Sequence, residues 1–233
     1  MKTHRGVLAA QLICLILLSA SASAQERESR PLAGFDAVAI GGGIDLFLRQ
    51  GTGFVVEVEA DDDAAEIVTE VRGKTLEIHR KSSFKFFGWS GDLGPVYVTL
   101  PALVSLTASG GSDVTTEGTF TGDNLAIVAS GGSDVMIDVS AGTVDVQASG
   151  GSDLTLTGSA RSASVQSSGG SDLNARGFTA DEAQVHSSGG SDLSIAVREK
   201  IVGDASGGSD IIYGGEPRTV DVDTSGGSEI RRR

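Results

Sequence analysis

Seven acidic residues end a recurring five-residue motif, Ser-Gly-Gly-Ser followed by Asp or, in the last copy, by Glu. The acids of consecutive copies lie 18 to 21 residues apart. Carboxylates brought together by such a repeat could bind a cation such as Ca²⁺, which prefers oxygen ligands. Each Asp could instead accept hydrogen bonds within its own turn and serve only the scaffold. The seven acids are Asp113, Asp134, Asp153, Asp172, Asp192, Asp210 and Glu229.

The spacing of the motif predicts the architecture that positions these acids. A period of about 20 residues over seven copies is typical of a solenoid. Helical repeats of this length would need apolar residues at i, i+3 and i+4 and fewer glycines than the 33 present. The sequence therefore predicts a stack of similar rungs, with Gly-Gly at one corner of each.

Within each repeat the apolar residues alternate with polar ones, as in β-strands. The run SDLTLTG (152–158) places Leu154 and Leu156 on one face, and TVDVQAS (143–149) does the same for Val144 and Val146. Two short strands per rung are expected, with aliphatic columns inside. The predicted fold is all-β, a parallel β-solenoid with rungs of roughly 20 residues and a less regular β-rich N-terminal part.

In-register rungs would stack the seven acids about 4.8 Å apart, the ordinary strand spacing. Two unit charges at that separation repel by about 0.9 kcal/mol in water. Solvent exposure and local hydrogen bonds would relieve the repulsion, and so would bound Ca²⁺. The motif does not match the calcium-binding nonapeptide, because one corner per rung is acidic and a further glycine is missing. A structural role for the acids is preferred, no cofactor is expected, and Ca²⁺ binding is kept as an alternative.

The chain divides into four predicted parts. Residues 1–24 combine a basic start, an apolar run and a small-residue exit, which predicts a signal peptide cleaved between Ala24 and Gln25. A short linker (25–31), a β-rich part (32–100) and the repeat solenoid (101–233) follow, the last two continuous. Gly41–Asp45 (GGGID) resembles the repeated corner, which predicts that the solenoid begins before its obvious repeats.

Composition and the N-terminal segment indicate where the protein acts. The formal net charge of −13 argues against nucleic-acid binding, because phosphates would repel such a surface. Cys14 is the only cysteine and lies in the predicted signal peptide, so no disulfide is expected in the mature chain. No integral membrane segment is expected there either. The protein is predicted to be exported to the periplasm, the cell surface or the medium.

One aromatic segment, KSSFKFFGWSGDLGP (81–95), stands apart from the repeats. Its side chains could contact a sugar ring or the apolar patch of a partner. They could instead cap the open end of the solenoid core, which is the preferred interpretation. The aromatic residues are Phe84, Phe86, Phe87 and Trp89.

No catalytic residues are predicted. His79 and His186 lack the spacing to a second His or Cys that a zinc site would show. Ser and Asp are abundant, but no G-x-S-x-G nucleophile elbow accompanies them.

The order of these segments resembles the GIN-domain family of autotransporter adhesin head domains. The resemblance covers roughly residues 32 to 230, including FDAVAIGGGIDLFLRQ (35–50) and VYVTLPALVSLTASGGSDV (96–114). It implies a right-handed parallel β-helix and an exported location, and it carries over no catalytic residues.

These observations favour a non-catalytic, adhesin-like protein of the cell envelope that contacts an envelope or extracellular glycan or protein. The first alternative is a polysaccharide hydrolase or lyase, since such enzymes also use parallel β-helices. The second is a structural scaffold stabilised by Ca²⁺.

Overall fold

Alternating aliphatic residues form β-strands along most of the chain. The computed structural model describes residues 27–59, 64–81 and 93–233. The N-terminal strands are β1 (Arg27–Ser29), β2 (Ala37–Gly41), β3 (Leu46–Gln50), β4 (Val55–Glu59), β5 (Ile67–Arg72), β6 (Thr75–Arg80), β7 (Val96–Leu100) and β8 (Ser105–Ser109). The remaining strands are β9 (Asp113–Ser130), β10 (Asp134–Ser149), β11 (Asp153–Ser168), β12 (Asp172–Ser188), β13 (Asp192–Ser206), β14 (Asp210–Gly214), β15 (Thr219–Thr224) and β16 (Glu229–Arg232). A short 3-10 helix, Ala64–Glu66, precedes β5.

Two predicted features fall outside the described residues. One is the signal peptide with its cleavage site at Ala24–Gln25. The other is the aromatic set Phe84, Phe86, Phe87 and Trp89.

The repeats form a parallel β-solenoid of about seven turns with rungs of about 19 residues, as predicted. The expectation of two short strands per rung is wrong for β9 to β13, each of which is one continuous strand of 15 to 18 residues. The reason is that pairing with the next rung continues through the bend. Val139 pairs with Gly158, and Ser140 pairs with Ser159 without a break in register.

Differences in rung length are absorbed away from the glycine corners. The pairing of β9 with β10 shifts register between Met136 and Asp138, where β9 contains additional residues. The corner residues stay aligned, so Asp113 still lies beside Asp134. Repeats of unequal length therefore keep their corners in one column.

The interior consists of the predicted aliphatic columns. Leu154 pairs with Val135 and Leu173, and Val165 pairs with Val146 and Val185. All six side chains are buried. Burial of the apolar surface of such side chains stabilises the fold by roughly 25 cal/mol per Å².

The spatial order of the N-terminal rungs differs from their order in the chain. Strands β2 and β3 pair in parallel with β8 and β9, so the first rung of the chain stacks directly on the repeats. Strands β6 and β7 pair in parallel with the opposite edges of β2 and β3. The first rung in the chain, formed by β2 and β3, is therefore the second rung in the stack. The chain then moves outward to form the rung of β6 and β7, and it returns to the repeats through β8.

Antiparallel strands cover the outer edge of this stack. Strand β5 pairs antiparallel with β6, while β4 pairs antiparallel with β7 and β1 with β4. Arg27 and the largely buried Glu59 form an ion pair of 2.8 Å between β1 and β4. At the other end, β15 and β16 pair in parallel with β13 and β14.

Candidate functional site

The corners between rungs place the acids. In the corner at Ser149–Asp153, Gly150 and Gly151 have φ values of 67° and 72°. Residues with a Cβ rarely adopt this left-handed region, whereas Gly does so without steric cost. The chain reverses over the two glycines, and Asp153 then begins the next strand on its exposed side. Both glycines have a positive φ in every repeated corner, so each acid occupies an equivalent position at the start of its strand.

The second serine is buried in the first six of the seven repeated corners, where it ties neighbouring rungs together. Ser171 Oγ accepts a hydrogen bond from the Ser168 N–H at 3.1 Å and lies 3.0 Å from the Ala148 carbonyl oxygen. Equivalent hydroxyl contacts to the preceding rung are made by Ser133, Ser152, Ser191 and Ser209. These serines satisfy buried backbone groups and belong to the scaffold.

The acids stand in register on one surface, which we call the acid ladder. Each Asp pairs with the Asp of the next rung, and Asp210 pairs with Glu229. The structure brings together all seven residues named from the sequence: Asp113, Asp134, Asp153, Asp172, Asp192, Asp210 and Glu229.

Asp45 extends the ladder to an eighth acid, which the sequence analysis did not include. Leu46 pairs with Val114, so the preceding Asp45 occupies the position equivalent to Asp113. Ile44 N–H donates to Ser112 Oγ at 3.2 Å, which ties this corner to the next one. The GGGID motif contained the signal, because it differs from the repeated corner only at its two serine positions.

The electrostatics of the ladder reflect crowding of like charges. Partial burial, followed by repulsion from Asp113 and Asp153, raises the pKa of Asp134 above its usual value. Partial burial and the carboxylates of Asp153 and Asp192 raise the pKa of Asp172 in the same way. The ladder therefore favours a proton or another cation beside these carboxylates.

A shallow groove of about 340 Å³ runs beside the first rungs of the ladder. Asp45, Asp113, Asp134 and Asp153 line it together with outward-facing residues of the same strands. Met136 is 54% exposed there. The groove combines hydrogen-bond acceptors with apolar surface, which suits a ligand carrying both hydroxyl and C–H groups.

An aromatic pair continues the groove toward the covered end of the stack. The rings of Phe47 and Tyr97 stack with centroids 5.2 Å apart and an interplanar angle of 15°. The Arg27 guanidinium lies 3.7 Å from the centroid of the Tyr97 ring. Burial and the neighbouring Glu59 raise the pKa of Tyr97.

The sequence analysis named other aromatic residues and missed this pair. The signal was the alternation of β3 and β7, which places Phe47 and Tyr97 outward between buried neighbours.

The surface formed by the second half of each rung carries polar residues in register. His186 lies beside Gln166 and Asp204. Its Nδ1 lies 2.6 Å from Asp204 Oδ1, and its Nε2 lies 3.0 Å from Gln184 Nε2. The two ring nitrogens of His186 are thus held by an acid and an amide on the open surface.

A second shallow depression, of about 320 Å³, lies along the bends of the middle rungs. Arg161, Asp181, Glu182 and Glu199 are among the residues that line it. Asp181 forms an ion pair of 3.0 Å with Arg198.

Among the described residues, no helix is long and apolar enough to cross a membrane.

Comparison with known proteins identifies the family of the chain. Residues 34–217 match the sequence profile of the family described as "Putative auto-transporter adhesin, head GIN domain". The comparison with curated proteins found no match.

Three solved structures are similar over nearly their whole length. A putative adhesin from Bacteroides fragilis superimposes with a TM-score of 0.81 at 24% identity, over 89% of this chain and 96% of its own. A putative lipid binding protein from Parabacteroides distasonis gives 0.71 at 19% identity, over 89% and 96%. A putative adhesin from Parabacteroides merdae gives 0.70 at 16% identity, over 89% and 95%. At these identities the likeness supports the fold.

Proposed function

Because the chain belongs to the GIN-domain family of auto-transporter adhesin heads, we propose that it is an exported, non-catalytic adhesin of the cell envelope. Its binding surface is the acid ladder with the adjoining groove. The ligand class that fits this surface best is a glycan. The observation that carries the proposal is the in-register column of carboxylates beside the apolar side chains of Phe47 and Met136.

The chemistry of this surface matches that of sugars. Ladder carboxylates accept hydrogen bonds from hydroxyl groups, and charge-assisted bonds of this type are about twice as strong as neutral ones. Aromatic and thioether side chains pack against the C–H faces of sugar rings. Repeated rungs offer the same acceptors at regular intervals, which suits a polymer with repeated units.

The proposed location rests on two observations. Residues 1–24 have the composition of a signal peptide. The adhesin description of the family agrees with extracellular or surface exposure. N-terminal sequencing of the protein recovered from expressing cells tests the location, and we expect a mature chain that begins at Gln25. A chain that retains Met1 and stays in the cytoplasm would contradict export.

A Ca²⁺-stabilised scaffold is the second candidate, favoured by the raised pKa values of Asp134 and Asp172. Bound Ca²⁺ would neutralise the repulsion that these shifts reflect. Calorimetry with CaCl₂, combined with thermal unfolding, separates the two candidates. Absence of both binding heat and thermal stabilisation excludes the scaffold hypothesis.

A glycan-array screen of the purified chain, with product analysis by mass spectrometry on the same glycans, tests the proposed function. We expect binding to a defined subset of glycans without cleavage. Release of shorter oligosaccharides would identify a polysaccharide hydrolase or lyase instead. Binding to an envelope protein with no glycan retained would keep the adhesin role and reject the ligand class.

A further inference from the structure

A small cluster of charged residues lies on the outer face of the β5–β6 hairpin, away from the acid ladder. Glu70 and Glu77 are directly opposite each other in the antiparallel pair. Like charges in this position destabilise a sheet. His79 lies two residues beyond Glu77 on β6 and therefore on the same face.

The orientation of His79 is fixed by its backbone. Its Nδ1 lies 3.1 Å from the Arg80 carbonyl oxygen. A carbonyl can only accept, so Nδ1 is the donor in this contact and Nε2 is the ring nitrogen left to face the carboxylates. Nε2 lies 3.5 Å from Glu70 Oε1. The backbone contact therefore directs one ring nitrogen of His79 at the two glutamates.

The three side chains are close to the geometry of a metal site. Their ligand atoms all lie within 4.8 Å of one another. Zinc bonds of about 2.0–2.2 Å place tetrahedral ligands roughly 3.4 Å apart. The separation of 3.5 Å between His79 Nε2 and Glu70 Oε1 already meets this distance, and a Glu77 carboxylate oxygen lies within 4.8 Å of the ligand atoms of both. The hydrogen bond from Nδ1 to a carbonyl is also the usual support of a metal-binding imidazole.

We propose that Glu70, Glu77 and His79 bind one Zn²⁺ ion across the β5–β6 hairpin. An imidazole with two carboxylates suits zinc, whereas Ca²⁺ would require six to eight oxygen ligands. The site has no part in the acid ladder, and its expected role is to tie the covering strand β5 to β6, a strand of the stacked rungs. The exposed position leaves room for water as the fourth ligand.

Arg72 acts as a competitor of the metal. Its guanidinium lies 2.7 Å from Glu70 and 3.3 Å from Glu77, so it neutralises both carboxylates in the metal-free protein. Zn²⁺ must displace it to bind. Removal of Arg72 should therefore tighten zinc binding, whereas a purely structural cluster would give no such gain.

Zinc titration by calorimetry at neutral pH tests the site, with ZnCl₂ as the only ligand added. We expect one-site binding to the purified chain, at least tenfold weaker binding by H79Q and several-fold tighter binding by R72Q. A rise in melting temperature with Zn²⁺ should follow the same order, because binding to the native state alone stabilises it. The D134N/D153N/D172N variant serves as the matched control and should bind Zn²⁺ as the unaltered chain does.

The outcomes separate the proposal from its alternatives. Absence of zinc binding by both the unaltered chain and R72Q overturns it. Equal affinities of the unaltered chain, H79Q and R72Q also overturn it. Loss of binding in the ladder variant with binding kept in H79Q assigns the ion to the acid ladder and rejects the hairpin site. A gain of affinity in R72Q is a positive result that requires a folded protein, so misfolding cannot imitate it.

Discussion

The hydroxyl of Ser152 donates a hydrogen bond of 3.1 Å to the carbonyl oxygen of Ala129, one rung earlier in the stack. Ser152 Oγ itself accepts a hydrogen bond of 3.1 Å from the Ser149 N–H. One buried side chain thus closes its own corner and joins it to the preceding one. The serine of the motif carries the scaffold role, while the acid beside it faces solvent.

We expect Ser152→Ala to lower the free energy of unfolding by about 1–3 kcal/mol, because it leaves buried backbone groups without a partner. Urea denaturation measures the effect. The matched control is Ser162→Ala at an exposed position of the same strand, which should change stability by less than about 0.5 kcal/mol. Equal stabilities of the two variants would contradict the role assigned to the corner serine.

Two glycines with a positive φ allow the stability cost of backbone strain to be measured separately from the cost of steric overlap. A Cβ on Gly158 would overlap the Val139 carbonyl oxygen, whereas a Cβ on Gly151 would meet no atom within 4 Å. We expect Gly151→Ala to cost about 1–2 kcal/mol from the left-handed conformation alone. Gly158→Ala should be markedly more destabilising, because the adjacent rung must move. Thermal unfolding of both variants decides, and a similar loss in both would contradict the close approach of these rungs.

The ladder makes stability depend on pH with a defined sign. The raised pKa values of Asp134 and Asp172 mean that the folded state binds protons more tightly than the unfolded one. These groups therefore destabilise the fold at neutral pH. Their unfavourable contribution disappears as the pH falls through the raised values toward the ordinary value of 3.8.

The double variant D134N/D172N should melt at a higher temperature than the unaltered chain at pH 7, and its stability should change less with pH. Asp123→Asn removes one charge from an exposed position outside the ladder and serves as the control. Melting curves between pH 4 and pH 7 provide the measurement. A lower melting temperature of the double variant at pH 7 would show that these carboxylates stabilise the folded state, which would contradict the predicted repulsion between them.

The repeats were predictable because their pattern is local. Period-two alternation assigns Leu154 and Val165 to the core, and the constant spacing of the corners sets the register of Asp113 to Glu229. Equivalent positions of successive repeats have only one way to stack.

The N-terminal part was less predictable because its pairing is not local. Alternation shows that Phe47 and Tyr97 face outward, but it does not show that β3 and β7 are neighbours. It also gives no sign that Glu70 meets Glu77 and His79 across a hairpin. The place of Asp45 in the ladder could have been predicted from the sequence, since its corner differs from the others only at the two serine positions.

The central claim is that the acid ladder is a ligand-binding surface carried by a scaffold that does not need it. The most direct test is the equilibrium Kd for the best glycan of the array, measured for three forms of the protein. These are the unaltered chain, D113N/D134N/D153N on the ladder, and Q147A/Q166A on the other surface. We predict that the ladder variant remains folded and loses at least tenfold in affinity, while the other variant binds as the unaltered chain does. Equal affinities of all three forms, or an array on which no glycan is bound, would contradict the claim.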